Sequence, residues 1–126
     1  MKKVVFSCLM IVALYSCGGG SSKDGKKPGD NSVDVTKDSD YQAGLALISK
    51  SDCLTCHKVD EKITGPAYRD VANKYAGLSD TIITHLAGKI ISGGSGVWGE
   101  IFMTPHSGIS QTDSEAMVKY ILLLKK

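Results

Sequence analysis

Residues 41–126 of this 126-residue chain predict an all-α domain of about four helices. Three observations carry that prediction. Apolar residues recur at helical spacing rather than in alternation. Gly, Pro and capping residues fall between those runs. No stretch shows a convincing strand pattern, and Ile90-Ile91 and Ile121 to Leu124 read as buried helix.

The amino-terminal residues 1–16 read as a signal peptide rather than structure. Lys2 and Lys3 form a positive start, and Val4 to Leu14 is an apolar run interrupted only by Ser7 and Cys8. That run is shorter than the roughly 20 residues a membrane span needs. It ends in Leu14-Tyr15-Ser16-Cys17, which resembles the lipobox of bacterial lipoproteins and makes Cys17 the expected lipidated residue. Cleavage after a small residue, with Cys17 incidental, is the other reading. Residues 17–40 then form the lipidated terminus and a flexible linker. Gly, Ser, Lys and Asp dominate there, so it cannot bury a core. As a coil it reaches about 25 Å.

The helices follow in order. Tyr41, Gly44, Leu45 and Ile48 share the face of a first helix, with Asp38 to Asp40 offering an N-cap. Pro66 stands where a second can start, continuing through Tyr68, Val71, Ala72 and Tyr75 to Gly77. Ser79 or Asp80 can cap a third, which carries Ile82, Ile83, Leu86 and Ile90 and ends at Gly93-Gly94. Ser110 with Asp113, or Thr112 with Glu115, makes a capping-box-like start to the last. Met117, Tyr120, Ile121 and Leu124 run along its inner face. Between the third and fourth lies a Gly-rich loop, Gly93 to Ile109, holding the chain's one Trp and Met103. A loop of that length and content is expected to be functional.

The chemistry is concentrated in Cys53-Leu54-Thr55-Cys56-His57. A Cys-x-x-Cys pair has three readings: a redox dithiol, half a zinc site, or haem attachment. A dithiol is expected beside a strand-helix unit of a parallel sheet, which is not legible here. A zinc site needs two further ligands at suitable spacing, and His85 and His106 are far apart in sequence. A His directly after the second Cys is the attachment pattern of a c-type haem. Each thiol can add across a haem vinyl group, and His57 can bind the iron. A large apolar cofactor would also complete the core of so small a domain. With Cys8 removed, Cys17 lipidated and Cys53 and Cys56 on haem, no disulfide is expected.

The second axial position has four candidates. Met117 lies on an apolar helix face, where Met usually packs a core. His85 sits within the third helix and reads as a surface side chain. His106 and Met103 lie on the Gly-rich loop, and Met103 can cross the haem face opposite His57.

Residues 41–126 resemble a class I cytochrome c of the small bacterial monohaem type. The resemblance rests on Cys53 to Tyr68 (CLTCHKVDEKITGPAY) and Ser95 to Met103 (SGVWGEIFM). It implies the small cytochrome c fold, with its helices packed around one covalently bound haem c. It implies Met103 as the distal ligand, a Pro66 carbonyl on the His57 ring, and Trp98 and Lys89 against the haem propionates. Gly44 would be the small residue where the first and last helices cross, beside Tyr120. Pro66 could also simply start a helix, Lys89 be a solvated charge, and Gly44 a tolerated defect. Two positions depart from the family. Phe102 and Thr104 flank Met103 where relatives often have Pro, and His106 stands where some have an Asn that bonds the Met sulfur.

The function so implied is one-electron transfer, not bond chemistry. The expected carrier is exported to the periplasmic side of a bacterial membrane and tethered there by lipid. Its expected partners are a membrane cytochrome complex and a terminal oxidase or reductase. A haem peroxidase or gas-binding domain with a labile distal Met is the alternative. Residues 41–126 carry nine basic and eight acidic side chains, and no basic run suggests nucleic acid.

Overall fold

The computed structural model describes residues 34–126. The expected signal peptide, Cys17 and most of the linker lie outside the described residues. Among the described residues four α-helices form: α1 (Ser39–Lys50), α2 (Tyr68–Tyr75), α3 (Thr81–Ser92) and α4 (Gln111–Leu123). The linker reading, which ran to residue 40, extends too far. Val35–Lys37 form a 3-10 turn, and α1 begins at Ser39. Two Asp side chains order this stretch. Asp34 accepts from the Thr36 N–H, and Asp38 accepts from the N–H groups of Asp40 and Tyr41. Such caps satisfy donors that the first helical turn leaves unpaired.

The start of α2 is also shifted. Pro66 lies two residues ahead of it, and Ala67, with no capping side chain, is the N-cap. The preceding loop supplies the acceptors instead. Tyr68 N–H donates to the Lys58 carbonyl at 2.9 Å and Arg69 N–H to Val59 at 3.0 Å. Asp80 precedes α3 without a side-chain cap. Ser110 does cap α4, accepting from the Asp113 N–H at 3.1 Å and donating to its carboxylate at 2.8 Å.

The Gly-rich loop departs from the sequence expectation. It contains a short antiparallel hairpin, β1 (Gly94–Gly96) with β2 (Gly99–Met103), turned at Val97-Trp98. The strand signal is absent from the sequence because β2 buries no face: Gly99 to Phe102 are exposed. Glycine conformation makes the hairpin instead. Gly96 and Gly99, paired across the turn, have φ near +125° and +115°, a region that side chains disfavour.

The core lies where α1 and α2 meet α4. Ile48, Tyr68, Ala72, Met117, Tyr120 and Leu124 are buried there. α1 crosses α4 at Gly44, where a Cβ would run into the Ala116 carbonyl and the Tyr120 Cβ. The Tyr41 and Tyr120 rings meet edge-on at 4.9 Å beside the crossing. Arg69 ties three segments together. Its guanidinium donates to the Asp60 carboxylate in the 58–66 loop and to the Leu124 carbonyl at the end of α4. That contact holds the Asp60 carboxyl below its ordinary range.

Two outcomes follow. Gly44→Ala gains helix propensity, but its methyl group meets α4 backbone that cannot turn aside. Overpacking of that kind costs about 1–3 kcal/mol, so the variant should unfold at lower denaturant concentration. For Asp60, a depressed folded-state pKa means stabilisation that is present above the unfolded value, about 3.9, and lost as pH falls through the folded one. The stability difference between the native protein and Asp60→Asn should therefore shrink on acidification below about pH 4, as read by denaturant titration. A difference independent of pH would remove Asp60 from the acid response.

Candidate functional site

The Cys53–His57 segment is folded by its own backbone. Asp52–Thr55 make a 3-10 turn directly after α1, and the N–H groups of Cys56 and His57 both donate to the Cys53 carbonyl, at 3.2 and 3.0 Å. Gly65 N–H donates back to the Cys56 carbonyl at 2.8 Å, closing the loop between them.

Three neighbours fix the His57 ring. Its Nδ1 lies 2.8 Å from the Pro66 carbonyl oxygen. Tyr68 stacks against it, with ring centroids 5.2 Å apart and planes 15° from parallel. Gly65 lies flat beneath it, and a Cβ there would collide with the imidazole. The Pro66 contact also sets the tautomer. A carbonyl can only accept, so Nδ1 carries the proton and Nε2 of the neutral ring keeps a lone pair.

His57 lines a cleft of about 340 Å³ enclosed by α2, α3, the hairpin and the face of α4. Cys53, Cys56, Pro66, Lys89, Trp98 and Met103, all singled out from the sequence, line the same cleft. Met103 ends β2 and is half-buried. Trp98, at the hairpin turn, meets Tyr75 of α2 edge-on at 6.3 Å, and the Lys74 ammonium stands 5.7 Å from both rings. Lys89 projects from α3 toward Gly94 of the hairpin. The remaining candidates, Met117, His85 and His106, line the same cleft from different positions. Met117 is 2% exposed in the core. His85 is exposed on α3. His106 contacts Asp52.

Several contacting residues escaped the sequence reading. Tyr68 was legible as the inner face of α2, but its stack on His57 was not. Lys74 and Tyr75 meet Trp98 only because the hairpin folds back on α2. Asp52 and His106 are 54 positions apart, and nothing in the sequence pairs them.

The walls and donors fit a flat, largely apolar macrocycle. Val97, Ile101 and Phe102 are each more than 60% exposed in the polypeptide yet line the cleft, so a group seated there covers them. An imidazole nitrogen and a thioether on separate elements face that space, and two thiols flank the imidazole. A dithiol redox centre fits less well, because burial pushes the Cys53 thiol up, away from the thiolate such chemistry uses. Among the described residues, no three His, Cys, Asp or Glu side chains group closely enough to hold a bare metal ion.

Comparison with known proteins agrees with this geometry. The sequence model of the cytochrome c family matches residues 41–125. Cytochrome c-552 of Nitrosomonas europaea is 48% identical over 84 residues, 67% of this chain and 81% of that protein. Cytochrome c-552 of Hydrogenobacter thermophilus is 43% identical over 83 residues, 66% of this chain and 83% of that protein. The crystal structure of the Nitrosomonas europaea protein superposes with a TM-score of 0.60 at 47% identity, covering 64% of this chain and 99% of that one. The chain therefore belongs to the cytochrome c family, with the small four-helix cytochrome c fold and one covalently attached haem c.

Proposed function

We propose that this protein is a membrane-tethered one-electron carrier. In this reading Cys53 and Cys56 would hold the haem covalently, and His57 and Met103 would bind its iron. When bound, the haem supplies a one-electron couple at its iron. The observation that supports the reading most is the His57 ring. Its Nδ1–H is committed to the Pro66 carbonyl, and its Nε2 lone pair is left for a metal in the cleft that Met103 also lines. Pro66 and Tyr68 keep that donor from turning away. Met103 adds a soft thioether, which favours the reduced state relative to a second nitrogen ligand. Trp98 and Lys89 stand at the hairpin side of the cleft, suited to hydrogen-bond and neutralise the carboxylates at its edge. The apolar walls limit water and so keep the environment nearly unchanged when one charge is gained or lost.

Electron donors and acceptors at the membrane, such as a cytochrome complex and a terminal oxidase or reductase, are the partners of this proposal. The tether comes from Cys17. Among the described residues no helix is long and apolar enough to cross a membrane.

Two measurements test these parts. The oxidised protein should show the near-red absorption of a Met-to-iron charge transfer, and Met103→Ala should abolish it. Retention of that absorption in the variant excludes Met103 as the ligand. Rapid carbon monoxide binding by the reduced native protein would instead favour the gas-binding reading. For the tether, Cys17→Ser should move the exported protein from the membrane fraction to the soluble one. An unchanged distribution rules out lipidation at Cys17 as the anchor.

A further inference from the structure

The segment that follows Met103 is held to the rest of the domain at three points. Gly93, at φ +68°, lets the chain pass close above the end of α3, where a Cβ would meet the Met103 carbonyl and stand 2.9 Å from the Pro105 nitrogen. The His106 backbone N–H donates to the Ile90 carbonyl at 3.0 Å. The third point is a side-chain contact on the cleft wall: His106 Nε2 lies 3.0 Å from Asp52 Oδ1. Asp52 opens the 3-10 turn that carries Cys53, and both Asp52 and His106 line the cleft wall.

The chemistry of this pair limits what His106 can do. A carboxylate accepts, so Nε2 carries the proton. Nδ1 of the neutral ring is then a lone pair, and it is buried without a partner. A thioether sulfur is also an acceptor. In that neutral form the ring has no proton to give the Met103 sulfur, unlike an amide side chain at the same place. His106 therefore acts on Met103 through the chain between them. That chain lacks stiffening, since Phe102 and Thr104 rather than Pro flank the Met.

We propose that the His106–Asp52 pair is a latch joining the haem-attachment turn to the Met103 loop, with His106 as a positioning residue. The proposal rests on the proposed ligation by Met103. The latch is partly screened, because the Asp52 side chain is 76% exposed while that of His106 is 20% exposed. A several-fold effect is therefore expected, not a loss of function.

The test uses the full-length haem-loaded protein and four variants: Asp52→Ala, His106→Ala, the two combined, and His106→Gln. The Gln amide can reach Asp52 from the same backbone. Amide exchange over residues 104–109 should quicken about three- to ten-fold in each Ala variant, no further in the double variant, and return most of the way in His106→Gln. Affinity of the oxidised protein for added imidazole should rise by a similar factor, with the near-red absorption retained in its absence. Unchanged exchange, or single effects that multiply in the double variant, overturns the latch. Loss of the near-red absorption in His106→Gln with normal exchange also overturns it, by assigning the ring to the sulfur or the iron. Absence of that absorption from the native protein refutes Met103 ligation, and the exchange data then decide the latch by themselves.

Discussion

The Pro66 carbonyl against His57 Nδ1 is the contact on which the site is built. It fixes a proton on one nitrogen, and with it the orientation of the other. Its position is set by a chain of backbone bonds. Gly65 donates to Cys56, and Tyr68 and Arg69 donate to Lys58 and Val59. The loop from Cys56 to Arg69 is thus laced to itself at both ends. The same bonds supply the acceptors that α2 needs at its uncapped start. Helix initiation and ligand orientation are therefore one arrangement. A change that frays the first turn of α2 also loosens the His57 ring.

The helical frame holds this loop in place from outside. α1 and α4 approach closely because Gly44 has no side chain, and the nearness of their backbones leaves Tyr41 and Tyr120 edge-on beside the crossing. α1 feeds directly into the turn that holds Cys53. Arg69 then joins the loop to the end of α4 through Asp60 and the Leu124 carbonyl. Its stem is mostly covered, so its worth lies in positioned hydrogen bonds more than in the exposed ion pair. Burial of Tyr68 works in the same direction. It shifts the phenol strongly toward its protonated form and keeps an uncharged ring beneath His57.

Much of this was legible in the sequence, for identifiable reasons. The helices announced themselves through apolar spacing and caps, and Ser110 and Asp38 behave as cap residues should. The Cys53–His57 segment was legible as one wall of the cleft because its residues are adjacent in sequence, so spacing alone carries the signal. Met103 and Trp98 were legible as unusual residues on a long loop. The start of α2 was misplaced because Pro66 suits a first helical turn, while tertiary acceptors at Lys58 and Val59 let the helix begin later. The hairpin was missed because strands usually reveal themselves by one buried face, and this one is held by glycine φ values. The Asp52–His106 pair was illegible because a contact over 54 positions leaves no local pattern.

The two sides of the cleft are built on different principles. The contacts to the His57 ring itself are short in sequence: a 3-10 turn, a loop of nine residues to Pro66, and the helix that follows. Local closure costs little entropy and forms without waiting for the rest of the domain. Around Met103 the constraints come from afar, from Gly93 at the end of α3 and from Asp52 on the cleft wall. They exist only once the whole domain has folded. A glycine hairpin with exposed apolar side chains adds little rigidity of its own. The Met103 side of the cleft thus depends on those long-range contacts for its position. The proposed carrier role needs both His57 and Met103 to stay in place as charge changes. In this chain that requirement falls on the hairpin and the loop after Met103, not on the attachment motif.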